Sequence, residues 1–313
     1  MDISFVIVNW NTRDLLRNCL RSIYETVRNV DFEIIIVDNG SSDGSVSMLT
    51  DEFPGIICVE NRENRGFGAA NNQAFAIMTG RYALLLNTDT IVTEKTVSEL
   101  FSFMETHPDA AIAAGQLLNE DGSKQNSIAH PPTLLTLTTN TTVLEYLFPR
   151  TFPSKRYEHK EPFEITSAVG ACLIVRKTAM DDVGVFDERY FFFFEETDWT
   201  YRMKMEGWKI YHVPSARIYH LQGKSIGRNI RSRVEFYRSR YKFFRKWRGT
   251  LYNRVVCCVI FIRLCVNWAL TFLANVATLF SVNDLKTRWI VYSQLIVWHL
   301  KGRPERYPVT TSP

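Results

Sequence analysis

The sequence lacks the cysteine patterns of disulfide-stabilised and zinc-binding proteins. Its six cysteines form no CxxC pair, and several of them lie in apolar runs. We therefore expect reduced thiols in a cytosolic protein rather than a disulfide framework or a zinc site. No basic segment, apolar stretch and cleavage site follows Met1, because a strand-like run begins at Ile3. Secretion through a signal peptide is therefore not expected.

Neither repeats nor strong charge set this chain apart. It has no internal repeat or low-complexity segment, and its net charge is only +4. Its 313 residues leave room for one large domain with additions. A hydrophobic share of 46% with 22% charged residues is ordinary for a globular protein. The positions of the charged residues are therefore more informative than their sum.

Apolar runs and helical periodicities alternate along the first part of the chain. Buried strands are predicted at 3–8, 33–37 and 83–86, and further strands at 56–60, 110–118, 168–175, 209–213 and 217–220. A helical spacing from Leu15 to Ile23 follows the first run, and a glycine-opened helix is predicted at 66–78. Strands that alternate with helices at these spacings indicate a parallel sheet with right-handed crossovers.

Polar residues break the fourth run immediately after Leu86. Asn87, Thr88 and Asp89 stand where the strand is expected to end. Open α/β sheets bind ligands at the carboxyl ends of their strands, and hard divalent cations prefer oxygen ligands. Asp89 is therefore a candidate for holding a metal ion that in turn holds a diphosphate. The alternative is an aspartate that begins a turn or caps a helix predicted at 90–107.

Two other strand ends carry polar or glycine-rich segments. Asp38 and Asn39 follow the second run, where Asp38 could accept hydrogen bonds from a nucleobase or ribose; the alternative is a plain turn. Gly66 opens a segment with the first two glycines of a GxGxxG motif, but Asn71 stands at the third position. The segment also follows the third strand, so we reject an NAD site. A glycine-rich helix start beside Arg65 still suits phosphate or sugar oxygens.

Five consecutive aromatic residues, 190–194, precede the three carboxylates Glu195, Glu196 and Asp198. Apolar surroundings and a neighbouring like charge both raise the pKa of a carboxyl group, which suits a general base. The alternative is the acidic first turn of a helix, and both interpretations can hold at once. His220 follows after about one helix and two short predicted strands, so it is either structural or folded back onto this cluster.

Taken together, these features resemble the family 2 glycosyltransferases of the GT-A fold, especially their bacterial rhamnosyltransferase-like branch. The resemblance covers about the first 225 residues and rests on six segments: Ser4–Asn11, Ile34–Ser45, Asn64–Ala74, Leu84–Thr90, Val169–Lys177 and Gly184–Ser225. It implies an α/β fold with a mostly parallel sheet flanked by helices. It also implies inverting transfer of a sugar from a nucleotide-diphosphate donor, dTDP- or UDP-linked, with Mg²⁺ or Mn²⁺.

The resemblance also implies roles for individual residues. A general base and two supporting carboxylates are assigned to Glu196, Glu195 and Asp198. Asp89 matches the last Asp of the DxD metal motif, Asn87 stands at its first Asp, and His220 matches a histidine that can complete the metal shell. Donor binding is assigned to Asn9, Asp38, Asn39, Arg65, Gly66, Asn71, Asn87 and Thr88.

The composition changes after Ser225. The segment 228–248 carries nine Lys and Arg and a single acid, Glu235, with aromatic residues recurring at helical spacing. Such a basic amphipathic helix is typical of a membrane-surface element. Nucleic-acid binding is the rival, but nothing else in the sequence supports it. The third alternative is a terminal helix packed on the catalytic domain with a solvated basic face.

Two apolar stretches complete the chain. The stretch at 255–280 is long enough to span a bilayer, yet Arg263 and three polar residues recur every fourth position along it. The stretch at 289–300 is too short to span. We expect two helices that lie in or dip into the cytoplasmic leaflet. A true span, or a soluble helical cap or dimer contact, are the alternatives.

The sequence thus predicts a GT-A catalytic domain at 1–225 and a helical tail at 226–313. We expect a glycosyltransferase in the cytoplasm, peripherally associated with the inner face of the plasma membrane and without a nucleic-acid partner. Its acceptor would be a glycan or a polyprenyl-diphosphate-linked sugar in cell-envelope polysaccharide synthesis, and the irregular segment 119–162 could be a mobile acceptor-side loop. One alternative is a non-catalytic nucleotide-sugar binding or scaffold protein. Another is a nucleotidyltransferase, but 9–14 lacks the glycine-rich loop and lysine that it would need.

Overall fold

The computed structural model describes residues 1–139, 141–149, 151–153, 159–221 and 230–304. The chain divides into a larger unit, Met1–Pro131 with Thr142–Ser225, and a smaller unit, Pro132–Thr141 with Ile226–Pro313. The predicted domain boundary after Ser225 lies outside the described residues, as does Arg228 of the predicted basic helix.

Short elements alternate through the larger unit. The strands of the described chain are β1 (Ile3–Asn9), β2 (Phe32–Asp38), β3 (Ile57–Glu60), β4 (Tyr82–Asn87), β5 (Thr90–Val92), β6 (Ala110–Leu118), β7 (Ile128–Ala129), β8 (Phe163–Glu164), β9 (Ser167–Ala168), β10 (Cys172–Arg176) and β11 (Lys209–His220). The helices are α1 (Arg13–Thr26), α2 (Ser45–Glu52), α3 (Phe67–Phe75), α4 (Thr96–Thr106), α5 (Leu134–Thr138), α6 (Thr141–Leu147), α7 (Lys177–Val183), α8 (Glu195–Met205), α9 (Ile230–Ala277) and α10 (Asn283–Leu300).

One mixed sheet forms the centre of the larger unit. Its strand order in the described chain is β3-β2-β1-β4-β10-β6-β11-β5, with β8 paired to β11. Strands β1 to β4 pair in parallel, whereas β10 runs antiparallel to both β4 and β6. The carboxyl ends of β1, β2 and β4 therefore meet at one edge of the sheet, where parallel sheets bind ligands.

Burial on both faces explains the near-continuous apolar runs of the central strands. Successive side chains of a strand point to opposite faces. On β1, Phe5 and Ile7 join one apolar cluster with Leu16 of α1, and Val6 joins a second cluster with Trp199 of α8. A strand covered on both sides shows no polar alternation, as the near-continuous apolar runs predict.

Three predictions about these elements are wrong in detail. The helix predicted at 90–107 begins only at Thr96, because Thr90–Val92 forms the edge strand β5, antiparallel to the end of β11. Its three β-branched residues favour a strand once a partner strand is available. The strands predicted at 209–213 and 217–220 are one strand, β11, with an irregular register between Val213 and Arg217. The predicted strand at 168–175 is likewise divided into β9 and β10.

The smaller unit is helical. Helix α9 includes most of the predicted basic helix and most of the predicted apolar stretch. It is interrupted at Gly249, whose backbone conformation (φ 79°, ψ 176°) L residues rarely adopt. Val234 and Val256, from the two sides of this break, share an apolar cluster with Trp298 of α10. By length and composition α9 could cross a membrane, and most of its apolar part is not buried within the protein.

Candidate active site

Three polar segments adjoin at the edge formed by the carboxyl ends of β1, β2 and β4. The register pairs Asn9 with Asp38 and Val8 with Asn87. The structure therefore brings together strand ends that lie far apart in sequence. This edge also carries most of the residues that the sequence singled out.

A buried hydrogen-bond network fixes the carboxylate of Asp38. Asn9 Nδ2 donates to Asp38 Oδ2 at 2.7 Å, while the backbone N–H groups of Gly40 and Ser41 donate to Asp38 Oδ1 at 3.1 and 2.8 Å. A carboxylate offers about four acceptor sites, so this geometry uses three of them. The remaining site can accept one hydrogen bond from a bound molecule.

The same network reaches the end of β4. The hydroxyl of Thr12 lies 2.8 Å from Asn9 Oδ1 and 2.9 Å from Thr88 Oγ1, and Thr88 is buried. The first and fourth strands are therefore tied together directly beside Asp89. Among the predicted donor-binding residues, Asn9, Asp38 and Thr88 belong to one connected network.

The side chains of two predicted donor-binding residues form hydrogen bonds with other residues of the protein. Asn39 Nδ2 donates to Gly66 O at 3.1 Å, and its Oδ1 accepts from Asn61 Nδ2 at 3.0 Å. Asn71 Nδ2 donates to Phe67 O at 2.8 Å inside α3. Asn39 therefore positions the loop that contains Gly66.

Gly66 is tightly packed at this edge, whereas the side chain of the neighbouring Arg65 is exposed. Gly66 has a φ of +88°, and a Cβ there would lie 2.4 Å from the carbonyl oxygen of Phe191. Only glycine permits this close approach between the loop and the aromatic segment. The side chain of Arg65 is exposed, and its guanidinium has no hydrogen bond or ion pair with a described residue. It is therefore available to an anionic ligand.

Asp89 and His220 face each other across β5 and β11. The register pairs Thr90 with His220, and Leu221 N donates to Asp89 O at 2.8 Å. His220 Nε2 consequently lies 3.4 Å from Asp89 Oδ1, and both side chains are buried. The structure brings these two predicted metal ligands together, although 131 positions separate them in the chain.

Gln125 is a neighbour of His220 that the sequence did not reveal. Its Nε2 donates to the backbone carbonyl of His220 at 2.5 Å, and its Oε1 lies 2.9 Å from His220 Nδ1. Gln125 is in the segment 119–162, which has no periodicity to interpret. A usable signal was the pair Asp121-Gly122, which predicts a reversal that returns the chain towards β6.

Glu196 lies over the same edge as the Asn87 segment. A Cβ on Gly170 would be 3.8 Å from Glu196 Cδ, so the carboxyl group rests against Gly170. The next residue, Ala171, accepts a hydrogen bond from Asn87 N at 3.1 Å. Loss of solvation on burial raises the pKa of Glu196 to about 7, with a smaller opposing effect of a backbone N–H. A carboxyl group with that pKa can give up or accept a proton near neutral pH.

The other two carboxylates of this cluster are buried. Glu195 packs against Gly68, whose Cβ position is 3.8 Å from Glu195 Cβ. Asp198 Oδ2 accepts from Arg202 Nε at 3.1 Å, and Tyr190 Oη donates to Asp198 Oδ1 at 3.4 Å. Asp198 therefore fixes α8 to the preceding aromatic segment.

Backbone strain marks the start of α8. Phe193 and Phe194 have φ values of 67° and 72°, a left-handed conformation that is unfavourable for bulky residues. Asp198 N nevertheless donates to Phe194 O at 2.8 Å, so the helix begins directly after the strained pair. Such strain persists only where the surroundings enforce it, and it concentrates at functional sites. Here it determines the direction in which Glu195 and Glu196 leave the backbone.

The sequence from residue 4 to 184 matches the family model Glycosyl transferase family 2. This match spans more than half of the 313 residues. The chain therefore belongs to glycosyl transferase family 2, and the resemblance inferred from its motifs is confirmed. It is a glycosyltransferase with a GT-A-like fold.

Similar proteins extend this assignment. The N-acetylglucosaminyl-diphospho-decaprenol L-rhamnosyltransferase of Mycobacterium tuberculosis is 28% identical over 211 residues, which are 63% of this chain and 68% of the relative. The mannosyltransferase PcManGT of Pyrobaculum calidifontis, solved with GDP-Man and Mn²⁺, has a TM-score of 0.59 at 16% identity, over 95% of this chain and 87% of its own. GalNAc-T7, solved with UDP, GalNAc and Mn²⁺, gives 0.55 at 17% identity, over 76% of this chain and 47% of its own. These two likenesses concern the fold alone.

Proposed function

We propose that this glycosyltransferase transfers rhamnose or a similar hexose, with inversion, from a dTDP- or UDP-linked donor. The acceptor would be a glycan or a polyprenyl-diphosphate-linked sugar in cell-envelope polysaccharide synthesis. The observation that carries this proposal is the position of Glu196 against Gly170, at the edge that also holds Asn87 and Asp89. The mycobacterial relative, named for an N-acetylglucosaminyl-diphospho-decaprenol acceptor, supports the lipid-linked class.

Glu196 is the proposed general base. Its pKa of about 7 allows it to accept a proton from an acceptor hydroxyl near neutral pH. Attack by that oxygen on the anomeric carbon, opposite the diphosphate, inverts the configuration. The remaining acceptor site of Asp38 suits a base or ribose donor group, and the exposed Arg65 suits the diphosphate.

Asp89 and His220 are the proposed protein ligands of a divalent cation. One carboxylate oxygen and one imidazole nitrogen, 3.4 Å apart and buried, form a donor set that fits a single ion. No group of three or more His, Cys, Asp or Glu in the described ranges could hold a metal. The other positions would therefore belong to diphosphate oxygens and water, as is common for Mg²⁺ and Mn²⁺. When bound, the ion would neutralise charge on the leaving diphosphate.

The smaller unit is the proposed membrane contact. An apolar stripe of exposed residues runs along α9 with steps of three or four: Leu251, Val255, Cys258, Ile262, Val266, Ala269, Leu273 and Val276. Arg263 does not interrupt it, because its Nη1 donates to the Leu137 carbonyl of α5 at 2.6 Å. Asn275 likewise donates to Leu285 O at 3.0 Å. Both of these polar side chains of α9 therefore donate to backbone carbonyls within this unit.

Charge supports the same contact. Residues 230–304 contain fourteen Lys and Arg but only two acids, Glu235 and Asp284. A basic surface beside exposed apolar side chains favours anionic lipid headgroups. We infer peripheral binding to the inner face of the plasma membrane from the cytoplasm, with α9 and α10 in one leaflet. Full insertion of α9 would place Arg263 near the centre of the bilayer, at a cost of roughly 2.5–3.5 kcal/mol.

A donor-hydrolysis assay tests the proposed function. The purified protein is incubated with a panel of dTDP-, UDP- and GDP-sugars, with Mn²⁺ or with a chelator. We expect release of the nucleoside diphosphate from one donor class, dependent on Mn²⁺. Binding of a donor without turnover, on any acceptor tested, would instead favour a non-catalytic nucleotide-sugar binding protein.

A further inference from the structure

We propose that Gln125 is a positioning residue that fixes the proton of the His220 ring on Nδ1, so that the lone pair of Nε2 faces Asp89. The inference rests on the proposed cation site, because it explains how that site is prepared before an ion arrives. It does not depend on which sugar, nucleotide or acceptor the enzyme uses.

The orientation of the Gln125 amide follows from its contact with the backbone. The two ends of a glutamine amide look alike, so their assignment must come from the hydrogen bonds. The atom 2.5 Å from the His220 carbonyl must be the NH₂ group, since a backbone carbonyl only accepts. The amide oxygen therefore faces His220 Nδ1 at 2.9 Å.

This orientation determines the tautomer of His220. An amide oxygen carries no proton, so Nδ1 must donate to it. In the neutral ring Nε2 is then the unprotonated nitrogen, which is the form that binds a metal ion. That nitrogen lies 3.4 Å from Asp89 Oδ1. The lone pair of Nε2 and the carboxylate oxygen of Asp89 can therefore bind the same cation.

Gln125 is itself held in place by buried polar contacts. Its backbone N–H donates to Leu117 O at 2.8 Å, and its carbonyl accepts from Gln116 Nε2 at 3.0 Å. Gln116 Nε2 also lies 3.0 Å from Ser127 Oγ. The turn before it depends on Gly122, whose φ is +79°. The backbone of Gln125 is therefore anchored independently of His220, which places its amide beside the ring as a second layer around a metal ligand.

The tautomer can be measured in the wild-type protein without any ligand. The protein, ¹⁵N-labelled at its six histidines, is examined by long-range ¹H–¹⁵N NMR at a pH where the His220 ring is neutral. The spectrum of His220→Asn identifies the His220 signals. His212, on the same strand, is an internal reference, because burial lowers its pKa to about 4. We expect the proton of neutral His220 on Nδ1, and a proton on Nε2 would overturn the proposal.

Substitution of Gln125 separates positioning from folding. Gln125→Leu removes both amide contacts, so we expect the neutral ring to shift towards the Nε2–H tautomer that imidazole prefers in water. Gln125→Glu keeps an acceptor for Nδ1–H and should retain the wild-type tautomer. Gln294→Leu, the same substitution on α10, is the matched control. An unchanged tautomer in folded Gln125→Leu would contradict the proposal, and if that variant does not fold, the wild-type measurement decides.

Titration with Mn²⁺ alone links the tautomer to the cation. Paramagnetic broadening of the His220 ring signals should require about 10–100-fold more Mn²⁺ in Gln125→Leu than in the wild type. Equal broadening in both proteins would overturn the positioning role. If the wild-type tautomer is as expected but Mn²⁺ never broadens His220, the positioning by Gln125 stands and the cation site of the proposed function fails.

Discussion

The two units of this protein use charge in opposite ways. The larger unit contains 21 Lys and Arg against 30 Asp and Glu, whereas the smaller unit contains sixteen against three. In the larger unit, single carboxylates such as Asp38, Asp89 and Glu196 are buried or half-buried at defined positions. In the smaller unit, like charges and apolar side chains cover a surface. The net charge of +4 does not reveal this division. We therefore expect function to depend on the positions of single charged residues in the larger unit and on the summed charge in the smaller unit.

The largest expected effect concerns a single carboxylate of the larger unit. Glu196→Gln keeps the shape of the side chain but removes its ability to accept a proton. Sugar transfer should fall by about 10²–10⁴-fold while donor binding stays unchanged. Glu206→Gln, an exposed position just after the same helix, is the control for kinetics with purified protein. Full turnover in Glu196→Gln would remove this residue from the proposed mechanism.

A smaller effect is expected where charge acts by its sum. Replacing the exposed Arg245 and Arg248 by Gln should weaken binding to anionic vesicles by about 30-fold, since each surface cation contributes roughly 1 kcal/mol. The control replaces Arg62 and Lys95, two exposed cations of the larger unit, and so changes the net charge equally. Vesicle co-sedimentation compares the two double variants. Equal losses would mean that net charge, not the smaller unit, directs binding.

The pH dependence of transfer should report the environment of Glu196. Burial raises its pKa to about 7, and the base acts only when deprotonated. The rate should therefore rise about tenfold between pH 6 and pH 8 and then level off.

The free energy of unfolding should change with pH in the opposite sense. Glu196 keeps its proton up to a higher pH in the folded protein than in the unfolded chain. The unfolding free energy should thus fall between about pH 4 and pH 7, and Glu196→Gln should lack both effects.

The smallest expected effect tests the close approach at Gly66. Gly66→Ala requires both a positive φ and a Cβ 2.4 Å from Phe191 O, whereas Gly207→Ala meets only the φ penalty, with open space around its Cβ. The first variant should lose about 1–2 kcal/mol more unfolding free energy than the second. Denaturant unfolding measures the difference. Equal stability would show that the loop can move away from the aromatic segment without cost.

Features that depend on local sequence patterns could be predicted. Strands β1, β2 and β4 can be predicted because each is an apolar run that ends abruptly in polar residues. This pattern lies within a few consecutive residues, so it needs no knowledge of tertiary contacts. The fold class and the family, inferred from six such segments, are confirmed. The roles of Asp38, Asp89 and Glu196 stay predictions that the contacts at this edge support.

Other features depend on tertiary partners that no local pattern contains. Strand β5 forms because the end of β11 lies beside it, although Thr90–Val92 leads directly towards a helix. Gln125 acquires its role only through a buried contact with His220, 95 positions away. Arg263 lies in the predicted apolar stretch, and its guanidinium donates to the Leu137 carbonyl, 126 positions away. Each of these residues is explained by long-range packing rather than by its neighbours in the chain.

The central claim is that Asp89 holds the donor through a cation while Glu196 acts only on the acceptor. Calorimetry of UDP and dTDP binding, with and without Mn²⁺, tests it in the wild type, Asp89→Asn and Glu196→Gln. We predict that Mn²⁺ strengthens binding of one nucleotide in the wild type and in Glu196→Gln, and that Asp89→Asn loses this gain. Equal Mn²⁺-dependent binding in Asp89→Asn and the wild type would contradict the account.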